Sequence, residues 1–311
     1  MNSGKLLTRV RTYATSANLG PGFDCVGLAL DISNDCEVYS GNSKNSIVLL
    51  KGQNIQGIAK DCNNLIFKTI KKVLQKKYGA CYEQYERPVK IVCEINVPVE
   101  RGLGSSSTAV VAGLLIANKI YDLNLSNAEL LNIGLQLEPH PDNIAPCLAG
   151  GLVISYRLKS GDYSFEKINI KENFKIMLMI PDFKVNTHEA RKLIPDLIPK
   201  EDAISNIANF AMLINCFKEG NMESATSFIR DRIHQPFRRN VYPDSLNLVD
   251  ELNNDYEIPA AISGSGPAAL AFIPENKFES FLSGSMTILK KKYTNFEFKL
   301  ATVSNKGSYC Y

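Results

Sequence analysis

A loop rich in glycine and serine, at residues 98–108, restricts the fold of this chain more than any other segment. It reads Pro-Val-Glu-Arg-Gly-Leu-Gly-Ser-Ser-Ser-Thr and follows a stretch, Val89 to Val97, that alternates as in a β-strand. An apolar stretch from about Ser106 to Lys119 comes next and is typical of a buried helix. Glycines allow close backbone approach, and the free N–H groups at a helix N-terminus attract anions. The segment therefore predicts a phosphate-binding strand–loop–helix unit, with a plain helix cap as the alternative.

Better-known nucleotide and catalytic loops do not match this segment. A Walker A loop needs a glycine–lysine pair before its Ser or Thr, and the segment has none. A Rossmann fingerprint needs a third glycine where Ser107 stands. The chain also lacks a Gly-x-Ser-x-Gly elbow, which argues against an α/β-hydrolase.

Two further glycine-rich segments lie far from the first one in the sequence. Asn18-Leu-Gly-Pro-Gly-Phe-Asp24 is close to the N-terminus, and Ser263-Gly-Ser-Gly-Pro267 is close to the C-terminus. Either segment alone is typical of a turn. Because all three loops adjoin predicted strands, together they predict one site that is assembled from distant parts of the chain.

Composition excludes several classes of protein. The 311 residues suggest two domains, and 45% apolar residues suffice for a sizeable core. A net charge of only +3 does not indicate a nucleic-acid-binding protein. No apolar run is long enough to span a membrane, and residues 1–15 lack the apolar stretch of a secretory signal. The eight scattered cysteines are typical of free cytoplasmic thiols, and three histidines make a histidine-rich metal site improbable.

The predicted strands and helices alternate along the chain, and a polar stretch at 159–173 separates two patterns. We therefore divide the chain into domains at 1–165 and 166–311. Before this boundary we expect helices at 65–78, 106–119 and 126–138, and two short strands in 38–50 around a turn at 40–45. Beyond it we expect a strand at 175–181, helices at 187–193, 203–218, 222–233, 245–253 and 277–292, a hairpin of 259–262 with 268–273, and a last strand at 296–303.

In their order and spacing, the three glycine-rich segments resemble the motifs of the GHMP kinase superfamily, which includes galactokinases, homoserine kinases and mevalonate kinases. Within it, the chain most resembles the homoserine kinase family. The segments that carry this likeness are Ala14 to Asp24, Glu138-Pro-His-Pro-Asp-Asn-Ile-Ala-Pro146, Asn186-Thr-His-Glu-Ala-Arg191, His234-Gln-Pro-Phe-Arg238 and 262–271.

The resemblance implies an α+β fold of two domains, with a left-handed β-α-β unit in an N-terminal α/β domain and a ferredoxin-like C-terminal domain. It also implies that ATP phosphorylates the side-chain hydroxyl of L-homoserine, giving O-phospho-L-homoserine in threonine biosynthesis. A homodimer is expected by resemblance alone.

ATP and Mg²⁺ are the cofactors that the resemblance implies. Glu138 stands where the family has its metal-binding carboxylate, with Ser106 as the hydroxyl partner, and Mg²⁺ favours such a small set of protein oxygens. Asn64 resembles an adenine-side contact, although Asn63 could take its place. The expected ATP-binding residues are Asn64, Pro98, Gly102, Leu103, Gly104, Ser105, Ser106, Ser107 and Thr108.

The substrate site must bind a zwitterion that also carries a hydroxyl group. Asp24 suits the ammonium group, and the guanidinium groups of Arg191 and Arg238 suit the carboxylate in a bidentate manner. Arg239 is the alternative to Arg238. The expected substrate-binding residues are Asn18, Asp24, His140, Asp142, Asn143, Thr187, Arg191, Arg238 and Gly264.

The expected catalytic residues are Asn143, Glu138 and Ser106. Some superfamily members have an Asp near the attacking hydroxyl where this pattern has an Asn, here Asn143. An amide does not take up a proton at neutral pH, so we expect no side chain to act as a strong general base. Tyr13 and Pro139 depart from the family pattern, which usually has Pro and Gly there, and Pro139 puts the placement of Glu138 in question.

Two other interpretations remain open at this point. A sister kinase would act on another small alcohol, such as mevalonate or a sugar, and Asp24 with Arg191 and Arg238 disfavours it. An inactive ligand sensor on the same fold would be marked by the loss of Glu138 or of the serines, and the chain keeps both.

Overall fold

The computed structural model describes residues 4–41, 46–52, 55–185 and 187–311, without the side chains of Thr187 and His188. Its strands form two sheets. The strands are β1 (Leu6–Ala17), β2 (Val26–Ser40), β3 (Ile47–Gly52), β4 (Val89–Ile95), β5 (Leu152–Arg157), β6 (Tyr163–Ile168), β7 (Phe174–Pro181), β8 (Ala260–Ile262), β9 (Ala269–Pro274), β10 (Phe296–Ala301) and β11 (Tyr309–Cys310).

Helices connect most of these strands. They are α1 (Leu65–Tyr78), α2 (Ser105–Ile120), α3 (Asn127–Gly134), α4 (Pro141–Ala149), α5 (Thr187–Lys192), α6 (Lys200–Glu219), α7 (Met222–Phe228), α8 (Pro243–Asn254), α9 (Phe278–Ser280) and α10 (Met286–Lys292). Among the described residues no helix has both the length and the apolar character needed to cross a membrane.

The first sheet has the strand order β11-β1-β2-β4-β3, and β5 and β6 extend it from β2. The parallel neighbours β3 and β4 are joined by α1, which makes the expected β-α-β unit. The two strands predicted in 38–50 exist, but β4 lies between them, so they are not paired with each other. Part of their predicted turn, residues 42–45, lies outside the described residues.

The second sheet is antiparallel, with the order β10-β7-β9-β8. Numbered within this sheet, the order is 4-1-3-2, and helices separate its first strand from its second and its third from its fourth. This is the ferredoxin-like arrangement that was expected, and it confirms an α+β fold. The domain boundary at 165/166 stays a prediction; residue 165 lies within β6 of the first sheet.

Helix α1 has the predicted bounds, 65–78, and packs on α2. Its apolar residues Ile66, Ile70, Val73 and Leu74 are buried, because they recur on one helical face. Helix α2 is buried along most of its length, which matches its almost continuous apolar sequence. Its N-terminus is thereby held rigidly at the edge of the core.

Several predicted helices have different bounds in the structure, and the helix predicted at 222–233 ends at Phe228. The helix predicted at 126–138 ends at Gly134, and the unpredicted α4 begins at Pro141. Proline suits the first helical position because its missing N–H has no partner there in any case. The helix predicted at 277–292 is interrupted by a wider π-helical turn at Phe281–Ser285.

Gly113 tests the packing of α1 against α2. A Cβ atom at this position would lie 2.6 Å from the backbone oxygen of Ile66. We expect Gly113→Ala to lower the free energy of unfolding by about 1–3 kcal/mol, because neither helix backbone can yield cheaply. Urea unfolding measures this. Gly284→Ala is the matched control, since nothing lies within 4 Å of its Cβ position, and equal losses in both variants would contradict the close approach.

Candidate active site

The Gly/Ser loop at 98–108 is held against β1 by close backbone contact. Gly104 has a left-handed backbone, with φ of 67°, and directly precedes α2. A Cβ atom there would lie 2.0 Å from the hydroxyl oxygen of Thr15, which only glycine avoids. The Thr15 N–H donates to the carbonyl of Leu103 at 3.2 Å. The loop that leads into α2 is therefore fixed against β1.

The other two glycine-rich segments meet this loop. The Ser263 hydroxyl donates to the Gly102 carbonyl at 2.7 Å. The Gly264 N–H donates to the Ala17 carbonyl at 3.0 Å, and the Asn18 amide donates to the Gly264 carbonyl at 2.8 Å. The structure thus assembles one site from three distant loops, as the sequence predicts.

A cavity of about 280 Å³ lies where the loops converge. Thirteen of the predicted site residues line it. They are Asn18, Asp24, Gly102, Gly104, Ser105, Ser106, Glu138, His140, Asp142, Asn143, Arg191, Arg238 and Gly264. Thr187 is in α5, but its side chain lies outside what the structure describes.

A second cavity, also of about 280 Å³, adjoins the first and shares its lining residues Ile58, Leu65, Ser105 and Ala109. Asn63, Asn64 and Thr108 line it together with apolar side chains. The Asn64 side chain caps α1 by accepting from the Ile66 N–H at 2.9 Å and donates to the Ala59 carbonyl at 2.6 Å. Its role at a nucleotide stays a prediction.

Glu138 is a buried carboxylate with one unsatisfied oxygen. Its Oε1 accepts from the Ser107 hydroxyl at 2.8 Å, while its Oε2 has no hydrogen-bond partner within the described part of the chain. Burial raises the pKa of Glu138, and hydrogen bonds from Ser107 and Ser106 oppose this rise. An orphaned carboxylate oxygen beside two serine hydroxyls fits a cation such as Mg²⁺. Ser107 was expected only as a phosphate contact, so it is an addition to the predicted pair of Ser106 and Glu138.

Pro139, which stands where the family usually has Gly, does not remove Glu138 or His140 from the site. Glu138 and His140 both line the first cavity, although proline stands between them. The His140 backbone is extended, with φ of −110°, and it caps the start of α4. The departure from the family pattern therefore does not turn either side chain away from the cavity.

Asp142 is the most strongly perturbed acid in the site. It is fully buried, and burial raises its pKa to about 8, with smaller contributions from the charges of Asp24 and Glu138. Arg191 opposes the rise. Asp142 is therefore mostly protonated at neutral pH.

Asn143 is held in one orientation by its neighbours. Its Oδ1 accepts from the Thr15 hydroxyl at 2.8 Å, and its Nδ2 points toward Asp142 at 3.4 Å. Thr15 also contacts the loop at Leu103, so the amide and the loop share one support. Sequence reasoning missed this role of Thr15.

Asp24 and Arg191 form an ion pair across the cavity. Two guanidinium nitrogens of Arg191 contact the two carboxylate oxygens of Asp24, and both side chains are about one-third exposed. The Arg191 guanidinium also lies over the Phe23 ring at 5.2 Å. His140 is nearby, and burial and then Arg191 lower its pKa. Two of the three charged groups expected to bind a zwitterion thus neutralise each other in this structure.

Arg238 is buried at the back of the same cavity and is 1% exposed. Its Nε donates to the Ala190 carbonyl at 3.4 Å, and its Nη1 donates to the Gly264 carbonyl at 3.2 Å and contacts His234 at 3.0 Å. Arg239 instead pairs with Asp250 on the surface at 2.6 Å. The geometry therefore favours Arg238 over Arg239, as the Pro-Phe-Arg order predicts.

Arg101 was also missed by sequence reasoning. It lines the first cavity, and its Nη2 donates to the Asp182 carbonyl at 2.8 Å. Its Nη1 is buried without a partner among the residues that the structure describes, and burial lowers its pKa. Its place inside the loop motif was the available signal, but a lone arginine in a loop is usually only a surface charge.

Comparisons with known proteins match this chain over nearly its whole length. Residues 64–151 match a family model described as the GHMP kinases N terminal domain. A homoserine kinase from Clostridium kluyveri is 37% identical over 278 residues, covering 88% of this chain and 89% of that protein. A homoserine kinase from Clostridium botulinum is 34% identical over 308 residues, covering 97% and 98%.

Solved structures confirm the expected fold class. A homoserine kinase from Cytophaga hutchinsonii has a TM-score of 0.83 at 24% identity and covers 100% of this chain and 99% of its own. A mevalonate kinase from L. major has a TM-score of 0.70 at 14% identity and covers 97% and 98%. At such identities the likeness shows the shared GHMP kinase fold alone.

The raised pKa of Asp142 predicts a pH-dependent cost in stability. A folded pKa of about 8 exceeds the unfolded value, so the folded state binds more protons between the two pKa values. The unfolding free energy should therefore fall as pH rises through this window, by up to about 1.4 kcal/mol per pH unit from this group. We expect Asp142→Asn to remove that slope.

Urea unfolding at pH 5 and pH 8 measures the effect. The stability of Asp142→Asn relative to the wild type should increase from the lower pH to the higher one. Asp196→Asn, at an exposed position, is the matched control and should follow the wild type. A relative stability of Asp142→Asn that does not change with pH would contradict a buried, protonated Asp142.

Proposed function

The chain belongs to the homoserine kinase family, and on that premise we propose that it transfers the γ-phosphoryl group of ATP to the side-chain hydroxyl of L-homoserine. The product is O-phospho-L-homoserine, in threonine biosynthesis. The observation that carries the proposal is a single cavity that joins a glycine- and serine-rich helix N-terminus to a set of groups suited to an α-amino acid. The serines and Glu138 are all present, which argues against an inactive sensor.

The loop and the start of α2 bind the triphosphate. Phosphoryl transfer is mostly positioning and charge neutralisation, because its transition state is loose and rich in charge. The N–H groups from Gly102 to Thr108 and the positive end of the α2 dipole supply both. The second cavity, next to Ser105, takes the adenosine half of ATP, with its apolar lining against the base.

Mg²⁺ is held by Glu138 with Ser106 and Ser107. The unpaired Oε2 of Glu138 supports this assignment, because a buried carboxylate oxygen otherwise loses its hydration without compensation. When bound, Mg²⁺ neutralises charge on the phosphate oxygens. Ser107 holds the carboxylate of Glu138 in place through its 2.8 Å hydrogen bond.

L-Homoserine replaces the ion pair between Asp24 and Arg191. Its ammonium group takes the place of the guanidinium at Asp24, and its carboxylate takes the place of Asp24 at Arg191. Arg238 contacts the same carboxylate from the buried side. Because its Nε and Nη1 are already engaged by the protein, Arg238 offers its Nη2 rather than a bidentate pair.

The hydroxyl of the substrate is deprotonated without a strong general base. Asn143 is an amide, and Asp142 is mostly protonated at neutral pH because burial raises its pKa. The fixed amide of Asn143 orients the hydroxyl, and the proton leaves late in the transfer. Burial lowers the pKa of His140, so its side chain is neutral at pH 7. A phosphoryl-transfer rate that follows the titration of His140 would contradict a reaction without a strong general base.

We further propose a cytoplasmic homodimer that binds neither nucleic acid nor membrane. The eight cysteines are free thiols, which suits a reducing compartment. Helix α6 exposes Ile204, Ile207 and Met212, which suits contact with a second copy.

The first test measures ADP release by the purified protein with Mg²⁺-ATP and one acceptor at a time. We expect activity with L-homoserine and little or none with L-threonine, L-serine, mevalonate or galactose. Asp24→Asn and Arg191→Gln should each raise the KM for homoserine roughly 10- to 100-fold, since each removes a charged hydrogen-bonding partner. Arg239→Gln, on the surface, should leave the kinetics unchanged. Activity with another acceptor but not with homoserine would overturn the substrate assignment.

Glu138→Gln separates catalysis from stability. We expect phosphoryl transfer to fall by roughly 100-fold or more, as on loss of charge stabilisation in a transition state. At pH 8 without metal, the unfolding free energy should not fall, because the variant removes a buried charge whose pKa burial raises. Calorimetry should show that Mg²⁺ strengthens ATP binding to the wild type and to the exposed control Glu166→Gln more than to this variant. An equal effect of Mg²⁺ in all three would contradict the metal assignment.

A further inference from the structure

We propose that His234 is a positioning residue that fixes Arg238 for the substrate carboxylate and does so as a neutral imidazole with its proton on Nε2. The inference rests on the proposed function, because it needs a substrate with a carboxylate. None of the roles assigned above uses His234, although it is entirely buried one helical turn before Arg238 in the chain.

The two ring nitrogens of His234 have partners that demand opposite roles. Nε2 lies 3.0 Å from the Gly20 carbonyl, which can only accept a hydrogen bond. Nδ1 lies 3.0 Å from Nη1 of Arg238, which can only donate. Both contacts are satisfied only when the proton is on Nε2 and the lone pair is on Nδ1. A doubly protonated ring would direct an N–H group at the guanidinium.

The imidazole is itself held on several sides. The Asp231 carboxylate accepts from the backbone N–H groups of Ile233, His234 and Gln235 at 3.0, 2.9 and 2.7 Å. The Asn206 amide, from α6, donates to the same carboxylate at 2.9 Å. Asp231 therefore accepts its hydrogen bonds from the backbone around His234 and from Asn206. Nε2 of the His234 ring lies 3.6 Å from Oδ2 of Asp231, which is too far for a hydrogen bond.

Phe23 connects this arrangement to the substrate side of the cavity. Its ring stacks on His234 with centroids 5.0 Å apart and an interplanar angle of 19°. The Arg238 guanidinium lies 5.9 Å from the same ring. Asp24, the proposed partner of the substrate ammonium group, follows Phe23 directly in the chain. Phe23 therefore packs the loop that carries Asp24 against His234 and Arg238, the proposed partner of the substrate carboxylate.

Arg191 and Arg238 consequently differ in how firmly the protein holds their side chains. Arg191 is one-third exposed and is paired with Asp24, which the substrate displaces. Arg238 is fixed before substrate arrives by Ala190, Gly264 and His234. A group already in its bound position loses little entropy on binding, so its contact contributes more to affinity. Without an acceptor at Nδ1, Arg238 would lose this orientation.

The charges that face His234 come from three parts of the chain: Asp231, Arg238 and Asp24. Burial is the largest effect and lowers the pKa of His234, and Arg238 acts in the same direction. The two carboxylates oppose it. The balance keeps the ring neutral, as its hydrogen bonds require.

The wild-type protein offers a direct test by ¹⁵N NMR of its three histidine rings. One ring, assigned by its absence in His234→Gln, should show the Nε2–H tautomer at pH 7 and should remain neutral below pH 6. Saturation with L-homoserine should leave this tautomer unchanged. An Nδ1–H tautomer, or titration at an ordinary histidine pKa, would overturn the proposal.

Two variants separate positioning from structure. Glutamine keeps a donor near the Nε2 position, whereas asparagine keeps an acceptor near the Nδ1 position. His234→Gln should raise the KM for L-homoserine roughly 10-fold or more while kcat and the KM for ATP change little, since ground state and transition state lose the same contact. His234→Asn should recover most of this loss. Equal kinetics of both variants and the wild type would overturn the role.

An analogue in which CH₂OH replaces the carboxylate, 2-amino-1,4-butanediol, serves as the substrate control. His234→Gln should change kcat/KM for this analogue much less than for homoserine, whereas a general structural defect would affect both equally and would overturn the proposal. A wild-type enzyme that does not phosphorylate homoserine overturns the proposed function, and this inference with it. An active wild type with unaffected variants overturns the inference alone.

Discussion

The close contact of the backbone at Gly102 and Gly104 with distant segments is the constraint on which the rest of the site depends. A side chain at Gly104 would overlap the hydroxyl of Thr15, and one at Gly102 would lie 2.2 Å from the Ser263 carbonyl. Through these two points the phosphate loop contacts both β1 and the C-terminal loop. The N-terminus of α2 thereby lies beside the cavity where the three loops converge.

Beside the phosphate loop, the site contains two buried acidic side chains whose surroundings set their pKa values. Glu138 and Asp142 are both removed from water, and burial raises the pKa of each. Glu138 accepts a hydrogen bond from Ser107 and keeps an unpaired oxygen suited to a cation, whereas Asp142 has a 3.4 Å contact with the Asn143 amide and its pKa rises to about 8. The two carboxyl groups in one cavity thus differ in their immediate partners, which shift each pKa alongside burial.

Several elements of the fold could be predicted from local sequence signals, whereas the two-domain fold and most of the site residues were predicted from the resemblance to the homoserine kinase family. The apolar periodicity of α1 and the strand before the phosphate loop needed only neighbouring residues. Helix α4 was missed, since Pro139 and Pro141 are typical of an irregular segment, and Pro141 instead occupies the first helical position. The pairing of β3 with β4 rather than with β2 was also beyond local reasoning, since strand order depends on contacts between distant residues.

By itself, the sequence determined the chemistry available to this protein: three glycine-rich loops, a run of serines, and the carboxylates and guanidinium groups of an amino-acid site. Only the tertiary structure decided how these groups act. It brings Arg238 into the cavity and leaves Arg239 at the surface, and it places His234 between Gly20 and Arg238. The physical reason is that burial, protonation and hydrogen-bond direction depend on which distant residues surround a side chain, and residue order alone does not state this.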